Sequence, residues 1–526
     1  MPARDNHDAI VVGAGHNGLI CAAYLARAGL DVLLVEARAS VGGCASTVDA
    51  LGARVNICSC DHTLFRTTPV SDELDLGAHG LRYLDVDPAQ LSLLHSRGPA
   101  WPIFHDAART LDALALTYPH EVDGYRRYLR AALPLAELVV ELANEAPAPL
   151  STLRTVAGRR ARGVTTLLRW SRRSVADVLR TFFTEDAVMA PAIVVGPGVW
   201  GLSPYTPGTG LGALTLAMKH VASVGRPVGG SGAVPLAVAG AFEAAGGRIR
   251  TCSRVSAILC ERERVRGIGL DDGTRLEAPI VVSACDPHAT FLSWLRNPPA
   301  SAQPLVDRWK AIPRHDGYES KVDAVISQLP VYRQLDPSLP DRLGFDALHA
   351  TAIIAPAVDA MDAAHRLMAT GRVAAEPMFF ANVPSVLDPT MQVGPQPGEQ
   401  TGGRHVFSLE ALFTPYALTG GWAASSEPER WLQVYGRLVQ PGFTAGIHRH
   451  RTMTPESYER EFFMPRGYAT SFAGGPVAAL RGRARELTRY ETPVRGLYLT
   501  GAATFPGAGV WGASGRNTAR VILRRL

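Results

Sequence analysis

The stretch Ala9–Gly43, "AIVVGAGHNGLICAAYLARAGLDVLLVEARASVGG", restricts the possible folds of this chain more than any other segment. "AIVV" reads as a buried strand, "GAGHNG" as a tight turn, and "LICAAYLARAG" as a helix whose Ala22, Ala23 and Ala26 let it lie close to a sheet. A second apolar run, "DVLLVE", ends in Glu36. The three glycines have separate jobs: Gly13 turns the chain, Gly15 lets a pyrophosphate approach the backbone, and Gly18 lets helix and strand pack. His16 and Asn17 open the helix, whose free N–H groups and positive dipole end favour phosphate charge. The Glu36 carboxylate is placed to accept hydrogen bonds from both adenosine ribose hydroxyls and would repel a 2′-phosphate, so NADP is disfavoured. NAD and FAD both satisfy these residues.

Ala37 and Arg38 follow the acid directly, and Gly42 and Gly43 make a second close backbone approach beside the same nucleotide. This Glu then Gly-Gly arrangement resembles the extended fingerprint of the large FAD-containing oxidoreductases, so FAD is the expected cofactor. The far end of the chain agrees. "GLYLTGAATFPGAGVWGASGRNTARVILRRL" gives a strand (Leu497 to Thr500), Gly501 and Ala502, a loop carrying Gly509, Val510 and Trp511, and a helix beginning near Ser514. Such a helix start, brought back to the first nucleotide fold, aims N–H groups at the N1 and C2 carbonyl side of a flavin.

The chain of 526 residues, 47% hydrophobic and 19% charged, can bury a large core and divides into two domains. We read an α/β fold: a discontinuous Rossmann-like FAD-binding domain of glutathione reductase type (1–95, 226–290 and 485–526) and a mixed α+β substrate domain (96–225 and 291–484). "ESKVDAVISQL" (Glu319 to Leu329) and "RHVFSLEALFTPY" (Arg404 to Tyr416) alternate apolar and polar residues as half-buried strands do, and are placed to floor a cavity. "GGSG" (Gly229 to Gly232) lacks a preceding buried strand and a following ribose-binding acid, so it is not a second dinucleotide site. The stretch 393–403 reads as a surface loop.

Net charge is +5, but the only dense basic run lies between Arg154 and Arg173, with no clustered footprint for nucleic acid. Residues 154–183 instead read as a basic amphipathic helix: Val164, Leu167, Leu168, Val175, Val178 and Leu179 on one face, Arg162, Arg169 and Arg173 opposite. It is either a surface helix or a peripheral membrane contact with Trp170 near the headgroups. The N-terminal residues carry no targeting signal, which makes a cytoplasmic protein the expectation. The seven cysteines form no CxxC pair and no zinc spacing, so no metal is expected, and Cys58 and Cys60 read as packing residues.

The fingerprint from Val11 to Gly43, "GGSGAVPLAVAGAFEAAGGRIRT", "VVSACDPHATFL" and "GLYLTGAATFPGAGVWGASGRN" together resemble the phytoene desaturase-like flavoprotein family, and in it the pyridine nucleotide-disulfide oxidoreductase domain-containing branch. With no CxxC near the nucleotide turn, disulfide reduction is rejected. The resemblance implies FAD-dependent dehydrogenation, saturation or isomerisation of C–C bonds in an apolar polyene, isoprenoid or acyl substrate. It also implies that the Val255 backbone meets the adenine, that Ser283 to Cys285, with Ala284 central, pass the pyrophosphate, and that the loop carrying His62 passes the flavin ring. His62 is therefore the candidate catalytic residue, with a structural histidine as the alternative; Asp61 and Glu410 are weaker candidates. Two other readings stay open. A flavin amine oxidase would need an aromatic cage, for which Tyr416, Trp422, Tyr468 and Trp511 are available. A non-catalytic flavin-bound interaction protein would need no catalytic pair at all.

Overall fold

The computed structural model describes residues 6–96, 98–393, 404–472, 474–482 and 484–526. The strand Ala9–Val12 lies at the centre of a five-stranded parallel sheet, flanked by Val32–Val35 and Ile280–Ser283, with Arg248–Arg250 and Leu497–Leu499 at the edges. Its inner strands read "AIVV", "VLLV" and "IVVS" because both faces of a parallel sheet are covered. On one face pack the helices His16–Arg27, Ala233–Ala244 and Ala513–Leu523. On the other lie Val255, Ile258 and Ile268 of a smaller sheet, joined by Leu305 and Trp309 of the helix Gln303–Ala311. Portions of the chain hundreds of residues apart thus build one Rossmann-like α/β domain.

Beside it stands a seven-stranded, mostly antiparallel sheet in the order Ile447–Met453, Glu319–Ile326, His405–Leu412, Phe379–Asn382, Ala352–Ala355, Gln90–Leu94, Trp101–Ile103. The two alternating stretches form its neighbouring strands Glu319–Ile326 and His405–Leu412, with Lys321 opposite Glu410. Period two turns Val322, Ala324, Leu409, Ala411 and Phe379 toward Trp431 and Tyr435 of the helix Glu427–Gly436. It leaves Glu319, Glu410, Phe380 and Asn382 on the opposite face. A helical lobe around Val122–Ala143 covers that side.

Three expectations need correction. The first domain ends before 95, because Gln90–Leu94 pairs in parallel with Ala352–Ala355 in the large sheet. It also extends past 290, because Leu305, Val306 and Trp309 bury their apolar stripe against the nucleotide sheet. And 154–183 is not one helix but parts of three: Pro149–Gly158, Val164–Trp170 and Val175–Leu179. Arg160 and Ala161 break it with positive φ, and Gly163 crosses so close to the long helix that a Cβ there would stand 2.8 Å from the Pro134 carbonyl oxygen. Trp170 is buried and stacks on Tyr128 at a centroid distance of 6.3 Å, so it is not at a surface. No helix among the described residues is long and apolar enough to cross a membrane. The expected loop at 393–403 lies, from 394 onward, outside the described residues.

Candidate active site

A cavity of about 1000 Å³ opens at the C-terminal ends of the parallel strands, where Val12, Val35, Ala284 and Thr500 line it, and continues across the large sheet into the helical lobe. That places it at the crevice where open α/β sheets bind ligands. Gly13 has φ +98°, a conformation that only glycine adopts easily. A Cβ on Gly18 would stand 2.1 Å from the Gly13 carbonyl oxygen, so the helix can approach its strand only through glycine there. Gly15 is different: a Cβ on it would meet no heavy atom within 4 Å, leaving open space before the helix N-terminus. That helix has no side-chain cap and no acid in its first turn, so its leading N–H groups remain available. Gly42 donates its N–H to the Ala14 carbonyl oxygen at 2.8 Å and pins the second glycine pair beside the first turn.

Glu36 ends its strand with its carboxylate oriented by two backbone donors, Ala14 N–H at 2.7 Å to Oε2 and Arg38 N–H at 2.8 Å to Oε1. Each oxygen retains a lone pair for a ribose hydroxyl. Ala37, Arg38, Gly43, Val255, His16 and Asn17 face the same cavity, as do Gly501, Ala502, Gly509, Val510 and Trp511 from the far end of the chain. Asn17 ties the two ends together, its Oδ1 accepting from Gly515 N–H at 3.2 Å. Ser514 is a correction. Its hydroxyl sits behind the wall, accepting from Gly501 N–H at 3.0 Å and bonded to Thr500 and Thr504, so it shapes the glycine turn without facing the cavity. FAD fits this cradle on three observations: the open space at Gly15, the similar space at Gly509, and the buried Trp511 Nε1–H, which has no partner among the described residues.

The floor of the cavity is the polar-carrying face of the large sheet. Glu319 and Glu410 stand on adjacent strands, line the cavity, and make no hydrogen bond to any described residue. Burial raises the Glu410 carboxyl to about 7, with Lys321 opposing and Asp323 adding to the rise. Burial and then the Glu410 charge push Glu319 well above the carboxylate range. Both shifts run toward the neutral carboxyl, so the pair resists carrying two charges at once. Lys321 does not neutralise them directly, because its Nζ donates to the Asn56 carbonyl oxygen and to Asp323. Cys44, Cys58, Tyr318 and Tyr458 share this part of the cavity with the pair, while Val195, Val199, Leu202, Leu211 and Ile353 give the cavity apolar walls.

Residues 11–82 match the family model described as NAD(P)-binding Rossmann-like domain, and residues 103–321 match that of flavin containing amine oxidoreductase. The rat pyridine nucleotide-disulfide oxidoreductase domain-containing protein 2 is 28% identical across 99% of this chain and 94% of its own. The neurosporene-forming phytoene desaturase of Rhodobacter capsulatus is 26% identical across 95% of this chain and 91% of its own. Over nearly its whole length the chain is similar to phytoene desaturase-like flavoproteins, and it is a FAD-dependent oxidoreductase. Among solved structures, wild-type putrescine oxidase bound to putrescine superposes with a TM-score of 0.61 at 17% identity, covering 99% of both chains, which is agreement of fold.

In this flavin oxidoreductase His62 is not poised for proton transfer. Its Nδ1 pairs with the Tyr83 hydroxyl at 2.8 Å and its Nε2 with the Ser231 hydroxyl at 2.9 Å, so both ring nitrogens are occupied. Burial lowers its pKa to about 3 and keeps the ring neutral. The geometry makes it a structural histidine joining the Asp61–Phe65 segment to the turn before Ala233. Asp61 is equally committed, accepting from Arg226 at 2.8 Å and from the Thr351 hydroxyl at 2.6 Å. The four aromatics considered for an amine-binding cage do not converge. Tyr468 and Trp511 line the cavity, Trp422 is buried under the large sheet, and Tyr416 bonds to Glu459 beneath Arg466. Gly229 to Gly232 face Thr47 and Arg54 rather than the cavity. The Cys44 thiol donates to Met464 Sδ at 3.0 Å, and all seven cysteines are free. Glu319, Lys219 and Cys44 are cavity residues that sequence reasoning passed over. For Glu319 the signal was available, since period two places it on the same face as Lys321 and hence beside Glu410.

Proposed function

We propose that the protein dehydrogenates a C–C bond in a largely apolar substrate, or catalyses the reverse saturation or an isomerisation with the same groups. The observation that carries this reading is the continuity of one cavity from the FAD cradle into apolar walls, with an unpartnered carboxyl pair on its floor. The relatives named phytoene desaturase support an apolar polyene or acyl chain. Bound FAD supplies the acceptor for the two electrons that leave as hydride from one carbon. The Glu410 carboxylate takes the proton from the neighbouring carbon, whose C–H electrons become the new double bond. Glu319 stays protonated beside it, and the apolar walls hold the chain and exclude water.

Anaerobic reduction of the holoprotein by polyene, isoprenoid or acyl compounds tests the reading. Glu410→Gln is expected to retain its flavin while the rate of reduction falls about 10²- to 10⁴-fold. The wild-type rate is expected to rise with pH through about 7, as Glu410 loses its proton, and the variant to lose that limb. Reduction by simple amines, with apolar compounds inert, would establish the amine oxidase reading instead. Inertness toward all of them would leave the non-catalytic flavoprotein.

We also propose peripheral membrane contact through the Pro149–Trp170 region, which exposes Leu150 (70%), Leu153 (64%) and Leu168 beside Arg154, Arg162 and Arg169. Ser171, just beyond this region, lines the cavity, so the patch lies next to a route for an apolar substrate. Co-flotation with anionic vesicles that is lost in Leu150→Ser/Leu153→Ser checks it.

A further inference from the structure

Lys219 is one of only three lysines in the chain and has an unusual position. It lies on the helix Leu214–Val221, is 7% exposed, and lines the cavity. Its Nζ makes no hydrogen bond and no ion pair with any described residue, whereas each of the other two lysines has a carboxylate partner. The nearest anion cannot serve. Asp61 acts on Lys219 through its charge, but its Oδ1 accepts from Arg226 Nε at 2.8 Å, and its Oδ2 from Arg226 Nη2 at 3.2 Å and Thr351 Oγ1 at 2.6 Å. Burial lowers Lys219 to about 8, which leaves it mostly protonated at neutral pH. A buried ammonium without a partner is costly unless something else supplies the anion.

A second unpartnered donor lies at the same end of the cavity. Gln90 is 3% exposed, and its Nε2 has no hydrogen-bond partner among the described residues. It lines the cavity at the start of a strand whose next residue, Leu91, donates its N–H to the Thr351 carbonyl oxygen at 3.2 Å. Gln90 therefore flanks the threonine whose hydroxyl holds Asp61. One charge and one amide donor suit a monoanion. A di- or trianion would face Asp61, and Asp388 beyond Arg226, without enough cations to balance it.

We propose that this end of the cavity binds the carboxylate of the substrate, with Lys219 as the charged anchor and Gln90 as a supporting donor, so that the substrate is an apolar chain ending in a carboxylic acid. The proposal rests on the reading that the cavity takes an apolar molecule, and adds its head group. Glu410 stands on His405–Leu412, separated from the strand of Gln90 by Phe379–Asn382 and Ala352–Ala355, so the acid is held by one set of residues while the chain crosses another.

The test is calorimetric titration of the FAD-loaded protein with hexadecanoic acid, hexadecanol and hexadecylamine below their aggregation limits at pH 7. The acid is expected to bind at least about tenfold more tightly than the alcohol, and the amine more weakly than either. Lys219→Met, which removes a buried charge and keeps the side chain's length, is expected to bring the acid to the alcohol's affinity and leave the alcohol unchanged. Equal binding of acid and alcohol to the wild type, or an acid preference that survives in Lys219→Met, overturns the carboxylate site while leaving the apolar-substrate reading intact. Failure of all three to bind overturns both. Hexadecyl phosphate serves as a further arm: if it binds better than the acid, the site is for a phosphate head group and the proposal fails.

Discussion

At the scale of single residues, chemistry follows from which polar atoms are already occupied. His62 and Glu410 illustrate the contrast. Both line the cavity, but the imidazole is fully partnered by Tyr83 and Ser231, whereas the carboxyl has no hydrogen-bond partner among the described residues. Replacing His62 with Phe leaves two hydroxyls unsatisfied and is expected to cost about 1–3 kcal/mol of stability. The rate of flavin reduction per bound FAD should change little, as stopped-flow measurement beside a denaturation curve would check. Burial also gives His62 a pH signature. The folded protein keeps it neutral down to about 3, and His16 down to about 4, while the unfolded chain takes up a proton near 6.5. Between these values the unfolded state binds more protons, so stability is full above about 6.5 and declines as pH falls through the window. Tm measured against pH should fall less steeply in His62→Phe. The roles of His62 and Glu410 were not legible in the sequence, because a histidine in a loop and a glutamate in an alternating strand do not announce their partners.

At the scale of elements, the glycine turn separates folding from binding. Gly15 has φ −65° and ψ 162°, which alanine accepts, and a methyl group there meets no heavy atom of the described residues within 4 Å. Gly15→Ala is therefore expected to fold, with its apoprotein within about 1 kcal/mol of wild type. It should bind FAD far more weakly, because the methyl occupies the space before the helix N-terminus. Gly18→Ala should do the opposite damage, forcing the helix off its strand and lowering Tm even without cofactor. Comparing Tm with the flavin-to-protein absorbance ratio for the two variants distinguishes these outcomes. This element was legible in advance because its glycines, small helix residues and terminal acid all act within one stretch of chain. The segment 154–183 was not, since its apolar periodicity fits one long helix equally well. The break comes from Gly163 crossing the helix Val122–Ala143, a contact made by residues distant in sequence.

At the scale of the whole molecule, the FAD cradle draws on parts of the chain far apart in sequence. The cradle takes Gly15 and Glu36 from one end, Val255 and Ala284 from the middle, and Gly501 and Trp511 from the other end. Adding FAD to apoprotein at about 100 times Kd is expected to stabilise it by about 2.7 kcal/mol. Limited proteolysis should show protection at the C-terminal loop as well as at the first turn, since both line the site. The sequence by itself determined the nucleotide fold, the cofactor class and the alternating strands, because each is written in short-range patterns: glycine conformations, an acid at a strand end, and the two-residue period of a sheet. Only the tertiary structure decided where the domains part, which carboxyls line the cavity, which histidine nitrogens are occupied, and which lysine is left without an anion among the described residues. Those properties depend on burial and on partners from remote segments, and no local pattern carries that information.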